Sequence, residues 1–201
     1  MAILTLALKV AVVGASIAWQ PGGYPTMLHP GLEICVAATP GHTAGNAWLE
    51  GGHVTCTADA DVVITMFGSN EALLGISEPD ATTAYTALLN AINPTSLVIL
   101  NPPTLNWTPT TEAALNSYRP GQAALCAKWF CDWVDLKPLL LFPEDFFLTA
   151  FDPVHPNPET GHPKIAAAIN EVIPVPVPEP STCAFVLTGV TALAWMKRRR
   201  A

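Results

Sequence analysis

Three short runs constrain this chain more than anything else in it: Leu8 to Val13 (LKVAVV), Asp61 to Phe67 (DVVITMF) and Ser96 to Leu100 (SLVIL). Each is almost wholly apolar, rich in β-branched residues and too short for a core helix, which is the pattern of a strand buried on both faces of a parallel sheet. Each is followed by residues that turn the chain or offer a polar group: Gly14 and Ser16, then Gly68-Ser69-Asn70, then Asn101-Pro102-Pro103. Open parallel sheets bind ligands at the carboxyl ends of their strands, so Ser16 and Asn70 are expected on one rim. The fold class expected is α/β, a three-layer α/β/α sandwich with a parallel sheet of about five strands. Candidate helices are Pro79 to Ala91, Thr111 to Tyr118, Gly121 to Val134 and Glu159 to Val172.

A second feature supplies chemistry. Asp152-Pro-Val-His155-Pro-Asn157 follows Ser16 by about 140 residues. A serine hydroxyl becomes a nucleophile when an imidazole takes its proton, and a carboxylate that accepts the other ring N–H holds the tautomer this requires. Ser16, His155 and Asp152 can fill these roles, with the acid and base in one short loop and the serine arriving from another part of the fold. Asn70 is placed as a side-chain oxyanion donor would be. The same residues also fit blander uses, since a Gly-x-Ser turn, a turn-closing Asn70 and an Asp-x-x-His helix-capping loop are all structural devices.

Other residues carry less. His29, His42 and His53 lack ligand spacing for a metal and are expected at the surface, and His162 is expected to start the last helix rather than act as a second base. No metal and no cofactor is implied. Trp129 and Trp133 would share one face of a helix and pack in the core, whereas Trp19 and Trp107, each beyond a rim strand, are candidates for a substrate wall.

Taken together, these blocks resemble the SGNH (GDSL-type) hydrolase family, whose members carry GDS near the start, a glycine block, GxND and DxxHPN. The similarity runs over roughly Val10 to Val172, and the last block, DPVHPNPETGHPKIA, is its most specific part. Ala15 stands where the family usually has aspartate, and Glu71 where GxND ends in aspartate. The resemblance implies a flavodoxin-like sheet, an acyl-enzyme on Ser16, His155 as base and then acid, and Asp152 as its orienter. It further implies an oxyanion hole of the Ser16 backbone N–H, that of Ala38 or Gly41, and the Asn70 amide. The register of the second block, EICVAATPGHTAGN, leaves Ala38 and Gly41 as alternatives. The expected function is hydrolysis of a carboxylic ester, a small acyl group on a carbohydrate or a short-chain ester. The alternative is a catalytically silent surface module that binds extracellular polysaccharide.

The carboxyl end differs in character. Residues 1–172 form the hydrolase-like domain, 173–181 a proline-rich spacer containing Val177-Pro-Glu-Pro-Ser181, and 182–201 a hydrophobic segment ending in Lys197-Arg-Arg-Arg200. Alternating prolines favour an extended spacer, and an apolar run of roughly 15 residues beside a basic stop suits a tail held at a membrane. The arrangement resembles the PEP-CTERM sorting signal of exported bacterial proteins, which implies recognition by an exosortase-type peptidase, transient anchoring, and a place in the cell envelope or extracellular matrix.

Charge and cysteine content fit this division. Net charge is −7, but four basic residues lie in the tail, so residues 1–180 hold five basic against sixteen acidic residues. Nucleic acid is a poor partner for such a surface. Cys35, Cys56, Cys126 and Cys131 allow two disulfides in an oxidising compartment, although a Cys126–Cys131 bridge needs a bend rather than a regular helix. Buried free thiols are the alternative. Residues 1–18 could be read as a signal peptide, but cleavage after Ala18 would delete Ser16; Lys9 and the need for the strand favour an export signal upstream.

Overall fold

The computed structural model describes residues 7–104, 108–147 and 154–174. Its centre is a parallel sheet of five strands: β1 (Lys9–Gly14), β2 (Glu33–Ala38), β3 (Val62–Met66), β4 (Leu97–Asn101) and β5 (Asp132–Asp135), in the spatial order β2-β1-β3-β4-β5. The three apolar runs are the three central strands. From Val10 onward β1 is buried, as are β3 and β4 throughout, whereas the edge strands β2 and β5 are only partly covered.

Because strand side chains alternate, each central strand feeds two cores. Val10, Val12, Ile64, Met66, Val98 and Leu100 face one layer, where helix α7 (Gly161–Val172) contributes Ile165 and Ile169 and the short α1 (Ser16–Trp19) contributes Ile17. Ala11, Val13, Val63 and Ile99 face the other, covered by α2 (Ala44–Glu50), α5 (Glu78–Ile92) and α6 (Pro109–Trp129). Two short helices, α3 (Val54–Thr57) and α4 (Ser69–Leu73), and a 3₁₀ turn at Tyr24–Met27 complete the described elements. The three-layer expectation holds. No helix among the described residues is long and apolar enough to cross a membrane.

The helix boundaries depart from expectation between residues 109 and 135. One helix replaces the two expected there, with Pro120 inside it. Its buried residues Leu115, Tyr118, Gln122, Leu125 and Cys126 form one stripe at helical spacing through the proline, so burial outweighs the lost backbone hydrogen bond. Gly121 aids this. A Cβ there would lie 2.5 Å from Glu78 Oε1 and 2.7 Å from Thr82 Oγ1, so its absence lets α6 approach α5. The expected continuation to Val134 is also wrong. Phe130 takes a left-handed φ of 52° and ends the helix, and Trp133 lies on β5, not on a helix face shared with Trp129. Both tryptophans still pack against the same core.

That ending bend lets Cys126 bond Cys131, with Cα atoms 4.9 Å apart, and Cys35 on edge strand β2 bonds Cys56 on α3. The second crosslink closes a loop spanning 21 residues and ties the sheet edge to the α2/α3 side. Replacing Cys35 and Cys56 together by serine is expected to lower unfolding free energy by about 3 kcal/mol in denaturant titrations, from loop closure.

Candidate active site

Ser16 begins α1 directly beyond β1. The turn is tight enough that a Cβ on Gly14 would stand 3.1 Å from the Ala18 Cβ and 3.4 Å from the Met66 carbonyl oxygen. As a first-turn residue, Ser16 has a backbone N–H with no acceptor inside its own helix.

His155 comes from the far end of the chain and is held mainly by backbone. The Phe147 N–H donates to the His155 carbonyl at 3.0 Å, Phe146 pairs with Pro156 in an antiparallel bridge, and the Asn157 N–H donates to the Asp145 carbonyl at 2.8 Å. The Asn157 side chain completes the loop, accepting at Oδ1 from the Thr160 and Gly161 amides at 2.7 and 3.1 Å and donating from Nδ2 to the Glu144 carbonyl at 2.8 Å. Only glycine fits at 161. A Cβ there would lie 2.3 Å from the Asp145 carbonyl oxygen. The asparagine of the HPN sequence is therefore the knot of this loop and the start signal of α7.

These two constructions bring His155 Nε2 to 2.7 Å from Ser16 Oγ, across 139 residues of sequence. For Nε2 to accept the hydroxyl proton, the ring must carry its own proton on Nδ1. Asp152, the expected partner of that N–H, lies outside the described residues, as does Trp107. Trp19 ends α1 and is 54% exposed beside the site.

Asn70 sits on the same rim, in the first turn of α4 beyond β3, and its Nδ2 donates to the His42 carbonyl at 2.7 Å. This spends one of two amide protons. Of the two backbone alternatives in the second block, Gly41 occupies an exposed turn with φ 80°, and its N–H meets no acceptor among the described residues. Ala38 is different. The Glu33 and Thr39 amides donate to the Leu8 and Gly14 carbonyls, so odd-numbered amides of β2 face β1 and that of Ala38 faces the open sheet edge, away from Ser16. A cavity of about 20 Å³, lined by Ser16, Ile17, His42, Met66, Phe67 and Asn70 among others, lies at the junction. His42 also borders a polar cleft of about 160 Å³ and pairs there with Glu50 at 3.3 Å.

Three residues have roles the sequence did not disclose. Glu71 is 3% exposed, accepts from two backbone amides, and has its carboxyl pKa raised by burial against the opposing effect of those bonds. His53, expected at the surface, is buried, with a ring nitrogen 3.0 Å from the Ala47 carbonyl. His162 is fully buried in the first turn of α7. Its Nδ1 accepts from the Tyr24 amide at 3.1 Å, so Nε2 carries the proton and donates to Gln20 Oε1 at 2.8 Å, joining α7 to the end of α1. Among the described residues no group of His, Cys, Asp and Glu could hold a metal.

A doubly wound parallel sheet with a serine and a histidine in contact at its carboxyl rim is a three-layer α/β fold that carries a candidate nucleophile–base pair at the edge where such sheets bind ligands. The model of the GDSL-like lipase/acylhydrolase family matches residues 12–161, and the chain belongs to that family. No curated protein matches it in sequence. Solved structures share the fold at low identity. A member of the lipolytic protein G-D-S-L family from Veillonella parvula superposes with a TM-score of 0.71 at 16% identity, covering 83% of this chain and 98% of that one. A catalytic mutant of Axe2, an acetylxylan esterase from Geobacillus stearothermophilus, gives 0.65 at 17% identity, covering 84% and 95%. A carbohydrate acetylesterase family member from Sinorhizobium meliloti gives 0.66 at 16% identity, covering 82% and 96%.

Burial, with His155 nearby adding to it, pushes the His162 imidazole from 6.5 down to about 4. Between those pH values the unfolded chain binds a proton that the folded chain does not, so stability is lost as pH falls through this window, by up to about 3 kcal/mol from this residue. Glutamine at 162 can accept and donate in the same sense without titrating. Denaturant unfolding at pH 7, 5.5 and 4 is expected to show a smaller acid loss for His162→Gln than for the wild type.

Proposed function

We propose that the chain is a serine esterase that removes a small acyl group from a polar, hydroxyl-rich alcohol such as a carbohydrate. The observation that carries this reading is the 2.7 Å contact between Ser16 Oγ and His155 Nε2 on the rim where Asn70 emerges. In the proposed reaction Ser16 Oγ attacks the ester carbonyl carbon while His155 Nε2 takes its proton. Asp152 orients the ring by accepting from Nδ1. The oxyanion receives hydrogen bonds from the Ser16 and Gly41 N–H groups and the uncommitted Asn70 Nδ2 proton, Gly41 being favoured over Ala38 because of the direction of the amide. Collapse expels the alcohol, which takes the proton from His155. Water then attacks the acyl-serine, His155 takes its proton, and release of the acid restores Ser16. A single donor of this kind contributes about 3 kcal/mol to the transition state.

Two observations support a small acyl group and a polar leaving group. The cavity beside Ser16 has room for about one methyl-sized group and is walled by Ile17, Met66 and Phe67. The larger cleft beyond His42 is lined by Thr39, Glu50 and His53 as well. The structurally similar acetylxylan esterase and carbohydrate acetylesterase family member support the same reading.

The proposal extends to location. Residues 173–181 and 182–201, of which only 173 and 174 are among the described residues, would act as spacer and sorting tail, cut by an exosortase-type peptidase after transient anchoring in the membrane. Two disulfides within the domain suit export to an oxidising compartment.

Hydrolysis of p-nitrophenyl acetate is expected to be saturable and to fall by at least about a thousandfold in Ser16→Ala and His155→Ala. Activity that is absent, or indifferent to Ser16, would favour the silent polysaccharide-binding module. Across p-nitrophenyl esters of increasing chain length, kcat/KM is expected to be highest for acetate and to drop by octanoate; a preference for long chains would refute the small acyl pocket.

A further inference from the structure

We infer that Glu71 is a positioning residue for the oxyanion donors: its buried carboxylate clamps together the two loops that supply them. The inference rests on the proposed function for its catalytic consequence, but the clamp itself is a matter of geometry. Glu71 Oε2 accepts from the Gly68 amide at 2.8 Å, within the turn that presents Asn70. Its Oε1 accepts from the Ala44 amide at 2.7 Å, at the start of α2, 27 residues away and three beyond Gly41. Between these two anchors Asn70 Nδ2 reaches across to the His42 carbonyl. The Gly41 N–H and the Asn70 amide therefore sit on loops joined by two hydrogen bonds, Ala44 N–H to Glu71 Oε1 and Asn70 Nδ2 to the His42 carbonyl, the first made by a carboxylate whose other oxygen is fixed on the Gly68 amide.

Each side of the clamp is rigid. On the β3 side Gly68 holds φ 125°, a conformation that residues with a Cβ rarely adopt, and a Cβ there would meet Gln122 Nε2 at 3.0 Å. Gln122 Nε2 donates to the Phe67 carbonyl at 2.9 Å and braces the turn from α6. On the β2 side Thr43 and Asn46 form a reciprocal capping box that sets the start of α2. A helix cap alone would account for the Gly68 bond. It does not account for the Ala44 bond, which leaves α4 altogether. Oxyanion donors contribute only if they already point at the tetrahedral oxygen, so a slip between the two loops should weaken the transition state more than the bound ester.

The test is Glu71→Gln, which keeps shape but turns an N–H donor toward one of the two amides. Its controls are Ile165→Val and Ile165→Ala, core variants on the opposite face, of which the one that matches it in melting temperature is used. With p-nitrophenyl acetate, Glu71→Gln is expected to lower kcat about 10- to 100-fold with KM changed less than about threefold, while the matched core variant keeps kcat. Affinity for methylboronic acid, which forms a tetrahedral adduct on serine, should fall with kcat, and affinity for acetate should not. Amide hydrogen exchange at residues 41–46 should accelerate in Glu71→Gln and not in the core variant. Unchanged kcat, or an equal loss in the core variant, would overturn the positioning role. If the wild type neither hydrolyses the ester nor labels at Ser16 with a fluorophosphonate, the esterase reading fails on its own; exchange then decides the clamp, and unaltered exchange at 41–46 overturns it.

Discussion

The reversal of strand order between β1 and β3 is the constraint on which the rest depends. After β1 the chain turns onto the face covered by α1 and α7 and runs to β2; after β3 it turns onto the opposite face, through α4 and α5, and runs to β4. Two loops leaving adjacent strand ends in opposite directions cannot pack against each other, and a crevice opens between them. Ser16 stands on one lip of that crevice and Asn70 on the other. The site is a consequence of the winding before it is a consequence of any side chain.

A crevice made this way has walls that need not hold a fixed spacing, and polar ties supply what the winding does not. Glu71 and Asn70 join the β3 loop to the β2 loop, His162 joins α7 to the end of α1, and Asn157 joins the His155 loop to residues 144–146. The ties of Glu71 and His162 place polar groups out of water, where an unmet hydrogen bond costs about 1–3 kcal/mol, so they resist rearrangements that would break them. The apolar layers on either side of the sheet have no such directionality. They set how close the elements come, and the polar ties set how the loops at the rim are registered.

Departures from the family pattern become understandable in these terms. Ala15 precedes the serine at the start of α1 without any side-chain cap, and the contact to His155 is made regardless. Glu71, in place of the usual aspartate, spans two loops with its two oxygens. The irregular second block forms an edge strand followed by an exposed turn, with Gly41 at a positive φ that suits its lack of a side chain.

Much of the fold was legible because its signals are local. The buried strands announce themselves as β-branched runs, since a strand covered on both faces admits almost nothing else, and the Gly14 and Gly68 turns follow from steric rules. Pro120 misled because a local rule gave way to burial along a 21-residue helix, and β5 escaped notice because an edge strand of four residues has little periodicity to read. Asn157 could have been found as an asparagine three residues before Thr160, a helix-start pattern. Glu71 and His162 could not, because their partners Ala44 and Tyr24 are backbone amides 27 and 138 residues away, and a backbone amide leaves no mark in a sequence. By itself, then, the sequence determined the layers, the strands and the residue types brought to the rim, all of which follow from short-range sterics and burial. Only the tertiary structure decided the meeting of Ser16 with His155, the direction of the Ala38 and Gly41 amides, and the ties that register the loops, because those depend on where distant backbone atoms come to rest.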